Sequence, residues 1–389
     1  MFHVYVYFFF KNDMRINKKK STIIILILYI LLHYIELSKK KNKYILGKKF
    51  IDKCLNNMYI KDYNNTPVSP ILSVIIPVFN CEKTILFSIT SIQNQNMTEY
   101  EIILINDFSE DKTSEILQLF QANDKRVKII NNKKNMGTLY SRCIGTLISK
   151  GEYIFPLDND DMIFGEDIFD YIFKRAKEYN YDIVGFKSVK ARNYNENIRN
   201  MKDLFYYTNP NNLIIHQPEL STWILSINGK FSPHDVTLWG KLIRSKIYIQ
   251  AINLLGKKRY STYISWAEDT SMNFIIFNVA ESYIFIYKYG ILHLSSPSTA
   301  SSTQPINNNF FGLLFWIEIV FDFSKNNKDK NYSVLAALYI INDFYKDKSA
   351  ISQNNLIYLK NIVNKINESK YINEKYKYIL QKKSKYFFL

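Results

Sequence analysis

From about residue 71 the chain alternates short apolar runs with segments whose apolar residues recur at helical spacing. Val74–Val78 is a continuous apolar run of strand length, and Ile85, Ile89 and Ile92 then fall at i, i+4 and i+7, one face of a helix. Glu101–Ile105 reads as the next strand, followed by a helix with Ile116, Leu117 and Phe120 on one side. The rhythm continues through a strand at Val127–Ile130, a helix through Cys143, Ile144 and Leu147, and a strand at Tyr153–Leu157. A helix over Ile168–Ala176 and a strand over Ile183–Phe186 complete it. Strands alternating with helices predict βαβ units and an α/β fold with a largely parallel central sheet. After about residue 305 the pattern is helical only, at Leu313–Ile317, Val334–Ile341 and Leu356–Ile366.

The N-terminus has a different pattern. Thr22–Ile35 is almost wholly apolar, interrupted by His33 and bracketed by Lys18–Lys20 and Lys39–Lys41. It is shorter than the ~20 residues that usually cross a bilayer, and no small-residue cleavage site follows it. We expect a single N-terminal membrane anchor over residues 1–38, with a buried or interfacial helix as the alternative. Lysines on both sides leave its orientation open. Residues 39–70 are polar and aperiodic, as a stem would be. The expected partition is anchor, stem, an α/β domain over 71–304 and a helical extension over 305–389.

A net charge of +16 raises the question of nucleic acid, and its distribution answers it. Residues 1–60 hold 12 Lys/Arg against 3 Asp/Glu, and residues 355–389 hold 8 Lys against 2 Glu. The region between is near neutral and carries no nucleic-acid-binding signature. Basic flanks around an apolar stretch suit a membrane surface. Cys54, Cys81 and Cys143 are too few and too scattered for a disulfide framework or a zinc site.

Chemistry concentrates where the apolar runs end. Ser73-Val-Ile-Ile-Pro-Val-Phe-Asn80, Leu104-Ile-Asn-Asp-Phe-Ser-Glu-Asp111 and Leu157-Asp-Asn-Asp-Asp161 all release polar or acidic residues just past a strand, and Trp266-Ala-Glu-Asp269 opens a later helix. In open α/β sheets the ligand crevice lies at the C-terminal strand ends. Carboxylates delivered there from separate strands point to a metal and nucleotide site.

Residues 71 to about 300 resemble a family 2 glycosyltransferase of the GT-A fold. The stretches that carry the resemblance are SVIIPVFN, SIQNQ, EIILINDFSED, NNKKNMGTLYSRCIG, KGEYIFPLDNDD, TLWGKLIRS and WAED, in family order. The resemblance implies a nucleotide-sugar donor, usually with inversion at the anomeric carbon. It puts Pro77, Phe79 and Asn80 at the nucleobase pocket and Asp107 on the base, with Asp158 and Asn159 also on the donor side. Asn80 as a plain helix N-cap is the alternative. Asp158 and Asp160 form an Asp-X-Asp pair able to share Mn²⁺ or Mg²⁺ with a diphosphate. Arg142 either reaches the diphosphate or braces Asp158. Asp269 matches the base that deprotonates the acceptor hydroxyl, with Glu268 beside it. Trp239 and Lys241 are candidates for acceptor or phosphate contacts, and Trp239 is equally a core residue. His293 reads as a packed histidine or a further metal ligand.

The Gln-X-X-Arg-Trp signature of processive polysaccharide synthases is absent, which favours single addition. A hexosyl- or N-acetylhexosaminyl-transferase using a UDP-sugar is expected, membrane-associated, in Golgi or endoplasmic reticulum if the host is eukaryotic. Two alternatives are a catalytically inactive nucleotide-sugar-binding partner of another transferase and a sugar nucleotidyltransferase. The second is disfavoured because Phe79-Asn-Cys-Glu-Lys83 lacks a glycine-rich phosphate loop. Donor sugar, acceptor (glycan, protein or lipid) and linkage have no decodable motif.

Overall fold

The apolar runs become strands, and the helices between them cover the sheet. The computed structural model describes residues 69–389 apart from 192–212, 232–236, 295–305, 325–330, 339–350 and isolated positions elsewhere. The N-terminal apolar run and most of the stem lie outside the described residues. Strand β1 (Leu72–Val78) leads to α1 (Ile85–Gln93), β2 (Tyr100–Asn106) to α2 (Thr113–Asn123), and β3 (Val127–Asn131) to α3 (Thr138–Ile148). Then come β4 (Tyr153–Pro156), the short β5 (Met162–Ile163), α4 (Ile168–Glu178) and β6 (Ile183–Ala191). All seven residues of β1 and of β2 are buried, as continuous apolar runs require when both sheet faces are covered.

The second half is less regular. It holds β7 (Leu213–His216), α5 (Glu219–Trp223), the small hairpin β8 (Ser226–Ile227) and β9 (Lys230–Phe231), then β10 (Lys241–Arg244). Helices α6 (Ser245–Leu255), α7 (Lys257–Tyr260) and α8 (Glu268–Val279) precede the long β11 (Ser282–Leu294). The chain ends in α9 (Ile306–Phe323), α10 (Gln353–Glu368) and α11 (Glu374–Phe388).

Among the described residues one nine-stranded sheet runs β3-β2-β1-β4-β10-β6-β11-β5, with β7 also on β11. The strands β3, β2, β1 and β4 are parallel, as expected. Beyond them β10 is antiparallel to both neighbours, and β11 is parallel to β6 but antiparallel to β5 and β7. The sheet is therefore mixed rather than largely parallel. The insertion of β10 rests on two buried cations. Arg244 pairs with Asp182 at 3.1 Å and lies over the Tyr153 ring, while Lys241 is fully buried.

The C-terminal helices are not a detached appendage: the chain from Thr66 onward is one compact unit. Residues of α9 share a hydrophobic core with α6 and α8, including Phe310, Leu314, Trp316, Met272 and Ile276. Among the described residues no helix is long and apolar enough to cross a membrane.

Candidate active site

The ends of β1 and β2 are neighbours, with Val78 in register with Asn106. The loops that leave them are laced together. Asn80 N–H donates to Ser109 Oγ (3.1 Å) and Glu110 N–H donates to Asn80 Oδ1 (2.8 Å). Farther along, Glu82 N–H donates to Asp111 and Lys112 N–H to Glu82, both at 3.1 Å. Asn80 thus ties two loops rather than capping α1. Asp111 supports the start of α2 by accepting from Thr113 N–H at 3.0 Å.

Asp107 is buried and turned inward. Its carboxylate accepts from Asn132 Nδ2 (2.7 Å), Met136 N–H (2.8 Å) and Gly137 N–H (2.7 Å). Three donors take most of its roughly four acceptor sites. The group expected on the nucleobase is here the clamp for the turn that starts α3. Gly137 sits at φ 88°, a left-handed conformation natural to glycine, and a Cβ there would meet the Ile264 carbonyl at 3.1 Å. From this fixed turn α3 carries Arg142 inward.

The acidic turn follows β4. Ser88 Oγ of α1 donates to the carbonyls of Asn159 (2.9 Å) and Asp161 (2.6 Å), and Asn159 Nδ2 donates to Pro77 O (3.0 Å). These bonds fix the turn to the end of β1. Asp161 is completely buried, with His293 Nδ1 2.8 Å from its Oδ1. The His293 ring stacks on Trp239 at 4.7 Å. Burial alone would lower the affinity of His293 for a proton, but the Asp161 bond and nearby carboxylates outweigh it and raise its pKa. Asp160 is half-buried, and desolvation together with Asp158 and Asp161 pushes its carboxyl up to about 7.

Glu268 and Asp269 form the first turn of α8, where the helix dipole favours carboxylates. The turn is braced from behind. A Cβ on Gly312 of α9 would lie 2.0 Å from the Trp266 carbonyl, so glycine alone allows that helix to press on this backbone. Ala267 takes up the turn at φ 59°. Leu238 N–H donates to Asp269 Oδ2 at 3.3 Å.

Arg142 joins the two sides. Its side chain is 3% exposed; one terminal nitrogen pairs with Asp158, and the other pairs with Asp269 and lies 3.4 Å from Glu268. The guanidinium is held charged by these three carboxylates despite its burial. One cation cannot neutralise three anions. Burial and mutual repulsion raise the carboxyls of Glu268, to about 7, and of Asp269, with Arg142 opposing both shifts.

Of the residues expected at the site, Asp158, Arg142, Glu268 and Asp269 meet directly, and Asp160 adjoins them. Arg142 braces Asp158, as one of its two expected roles required, and also reaches α8. Lys241 is buried, donates to the Thr237 carbonyl and lowers the Asp269 carboxyl from within, so it does not face an open acceptor pocket. Trp239 packs on His293. Sequence reasoning missed the Asp161–His293 pair and the Gly312 contact. The available signals were a lone histidine ending an apolar strand and a lone glycine in an aromatic-rich helix.

Residues 73–233 match the model of Glycosyl transferase family 2. The chain carries a family 2 glycosyltransferase domain. Among its relatives is Glycosyltransferase GlyG of Streptococcus pneumoniae, 30% identical over 117 residues, a match covering 30% of this chain and 38% of that protein. The uncharacterized glycosyltransferase EpsJ of Bacillus subtilis is 28% identical over 216 residues, or 54% of this chain and 57% of that one. The chain thus spans less than two thirds of the length of these relatives. The fold is similar to that of S. aureus TarS residues 1–349, solved in complex with UDP-GlcNAc. That match has a TM-score of 0.57 at 14% identity and covers 81% of this chain and 88% of that one. It extends well beyond the family 2 domain, consistent with α8 and β11 belonging to the same architecture.

Proposed function

We propose that the protein is a GT-A glycosyltransferase that moves a sugar from a nucleotide-sugar, preferentially a UDP-sugar, to an acceptor hydroxyl. It does so with inversion, one sugar at a time, and with Mn²⁺ or Mg²⁺. The observation that carries this reading is the convergence, through Arg142, of the acidic turn with the Glu268-Asp269 pair in one crevice. A donor site and an acceptor-side base within one side chain's reach are what a single displacement needs.

The residues present fit a divalent ion. Asp158, Asp160, Asp161, Glu268 and Asp269 face Arg142, Lys241 and His293. When all are ionised, the carboxylates exceed the cationic groups by two, the charge of one divalent ion. Asp158 and Asp160 would hold it. Among the described residues no three His, Cys, Asp or Glu side chains are arranged to hold an ion by themselves. Donor phosphates and water would complete the shell, as is usual for Mg²⁺. Bound there, the ion would neutralise charge on the departing diphosphate.

The chain's own groups do the rest. Asp269, partly relieved of its charge by Arg142 and Leu238 N–H, takes the proton of the acceptor hydroxyl as the oxygen attacks the anomeric carbon. Burial and the nearby Asp158 carboxylate raise the proton affinity of Asp269. Attachment through the N-terminal apolar run remains part of the proposal. The direct test is donor hydrolysis and transfer with a panel of UDP-, GDP- and dTDP-sugars plus Mn²⁺, using wild type and Asp160→Asn. The variant should lose most metal-dependent hydrolysis while keeping its melting temperature. Near-wild-type hydrolysis by the variant at saturating Mn²⁺ would remove the acidic turn from the mechanism.

A further inference from the structure

Helix α6 lies against α3, which carries Arg142, and against α8, which begins with Glu268 and Asp269. Its Tyr248 is 1% exposed, and the hydroxyl has no hydrogen-bond partner among the described residues. Arg142 Nε is likewise buried and unpartnered among them. Buried polar groups are almost always paired, and an unpaired one costs stability. Phenylalanine would fill the same space without that cost, and the chain uses 27 of them. The Tyr248 ring belongs to the same hydrophobic core as Cys143, Ala251 and Met272. That packing asks for the ring and not for the oxygen.

The oxygen is a neighbour of the Arg142 cluster. Burial raises the Tyr248 pKa well above the ordinary tyrosine value, with Cys143, Asp269 and Glu268 adding to the rise and Arg142 opposing it. The group therefore stays a neutral hydroxyl, one donor with two acceptor sites, and is no candidate base. Arg142 has donors only. One terminal nitrogen pairs with Asp158, and the other with Asp269 and Glu268. Its Nε donor is unused, and the Tyr248 oxygen is an unused acceptor.

We propose that Tyr248 is a positioning residue: when Asp158 turns to the donor, the Tyr248 hydroxyl accepts a hydrogen bond from Arg142 Nε and keeps the guanidinium against Asp269. The proposal rests on the glycosyltransferase reading above. A neutral acceptor suits this task, because a further carboxylate would add another anion to a cluster already short of positive charge. Tyr248 acts on the acceptor-side base through Arg142 and touches neither sugar nor nucleotide, so its loss should slow turnover and spare donor binding.

The test is Tyr248→Phe in the full chain with Mn²⁺, assayed on whichever sugar of the UDP, GDP and dTDP panel wild type turns over fastest. Turnover should fall by about ten-fold or more, as misplacement at a distance from the chemistry does. KM for the donor and UDP affinity by calorimetry should stay within about two-fold, and the melting temperature should hold or rise because an unpaired hydroxyl is gone. In an Arg142→Lys background the same change should cost less than about two-fold more, since the two residues act as a unit. Turnover within about two-fold of wild type overturns the role and leaves the transferase reading standing. So does a lowered melting temperature with equal losses of turnover and UDP affinity, which marks Tyr248 as structural. Losses that multiply in the double variant also overturn it, because Tyr248 then acts apart from Arg142. Wild type that turns over no sugar of the panel overturns the glycosyltransferase reading and the role of Tyr248 with it.

Discussion

On the strand-end wall of the crevice, Asp107, Asp158 and Asp160 each sit within a few residues of the strand that delivers them. Their loops are tied to one another and to α1 by hydrogen bonds such as Ser88 to Asn159 and Asn80 to Glu110. On the facing wall, Glu268 and Asp269 depend on distant pieces: Leu238 in front and Gly312 behind, with Arg142 reaching across from α3. The first wall is held by hydrogen bonds among adjacent strand-end loops, and the second by a helix start set between Leu238 and α9 and tied across to α3. The contrast suggests that perturbing the first should alter donor binding, whereas perturbing the second should alter turnover.

The largest effect should come from Asp269→Asn, which would lower kcat by about 10²–10⁴, the range for a lost general base. UDP affinity should stay within two-fold by calorimetry. Glu268→Gln should be milder, since it lies about 100° around the helix. Loss of UDP binding in Asp269→Asn, with loss of transfer in Glu268→Gln, would exchange their roles.

Arg142→Lys should break the division between the walls. Lysine is a point charge and cannot span Asp158 and Asp269 as the planar guanidinium does. A misplacement of about 1 Å costs roughly 10²-fold in rate, and here both transfer and UDP affinity should fall. A loss confined to transfer would place Arg142 on the acceptor side alone.

A single added methyl, Gly312→Ala, should act on the second wall only. Overpacking of this kind costs about 1–3 kcal/mol, visible as a lowered melting temperature. Transfer should drop several-fold while UDP affinity holds. Unchanged kinetics would show that α9 supports the fold but not the base.

The smallest effect is in pH. Burial and mutual repulsion raise the Glu268-Asp269 carboxyls, with Glu268 pushed up to about 7. As pH falls through that value the pair takes up a proton, so kcat should decline on the acid side by at most about ten-fold per unit. Stability runs the other way: the contribution from a raised carboxyl is full below the ordinary Glu value of 4.5 and lost as pH rises through about 7. Thermal unfolding and kcat measured between pH 5 and 8 should therefore move in opposite directions.

This contrast also explains what could be read from the chain alone. The parallel half of the sheet was legible because Val74–Val78 and Ile102–Ile105 are continuous apolar runs buried on both faces. The acidic turn was legible because it follows such a run. The strand β10 was not, since Lys241 and Arg244 read as surface residues until Asp182, Tyr153 and the Thr237 carbonyl are folded around them. Arg142 was placed near Asp158, but its second contact lies 127 residues away in sequence. No local period encodes a separation of that size. Asp107 was seen as an exposed strand-end carboxylate, because nothing in its surroundings announces that the backbone of Met136 and Gly137 folds back onto it.

Arg142 has one consequence for how this protein can change over generations. Because one guanidinium serves Asp158 and Asp269 together, substitutions at those two carboxylates share a partner and will not add. A replacement at either frees Arg142 to lean toward the other, so the second change meets an altered background. Lineages should therefore change other parts of the site long before they touch the trio.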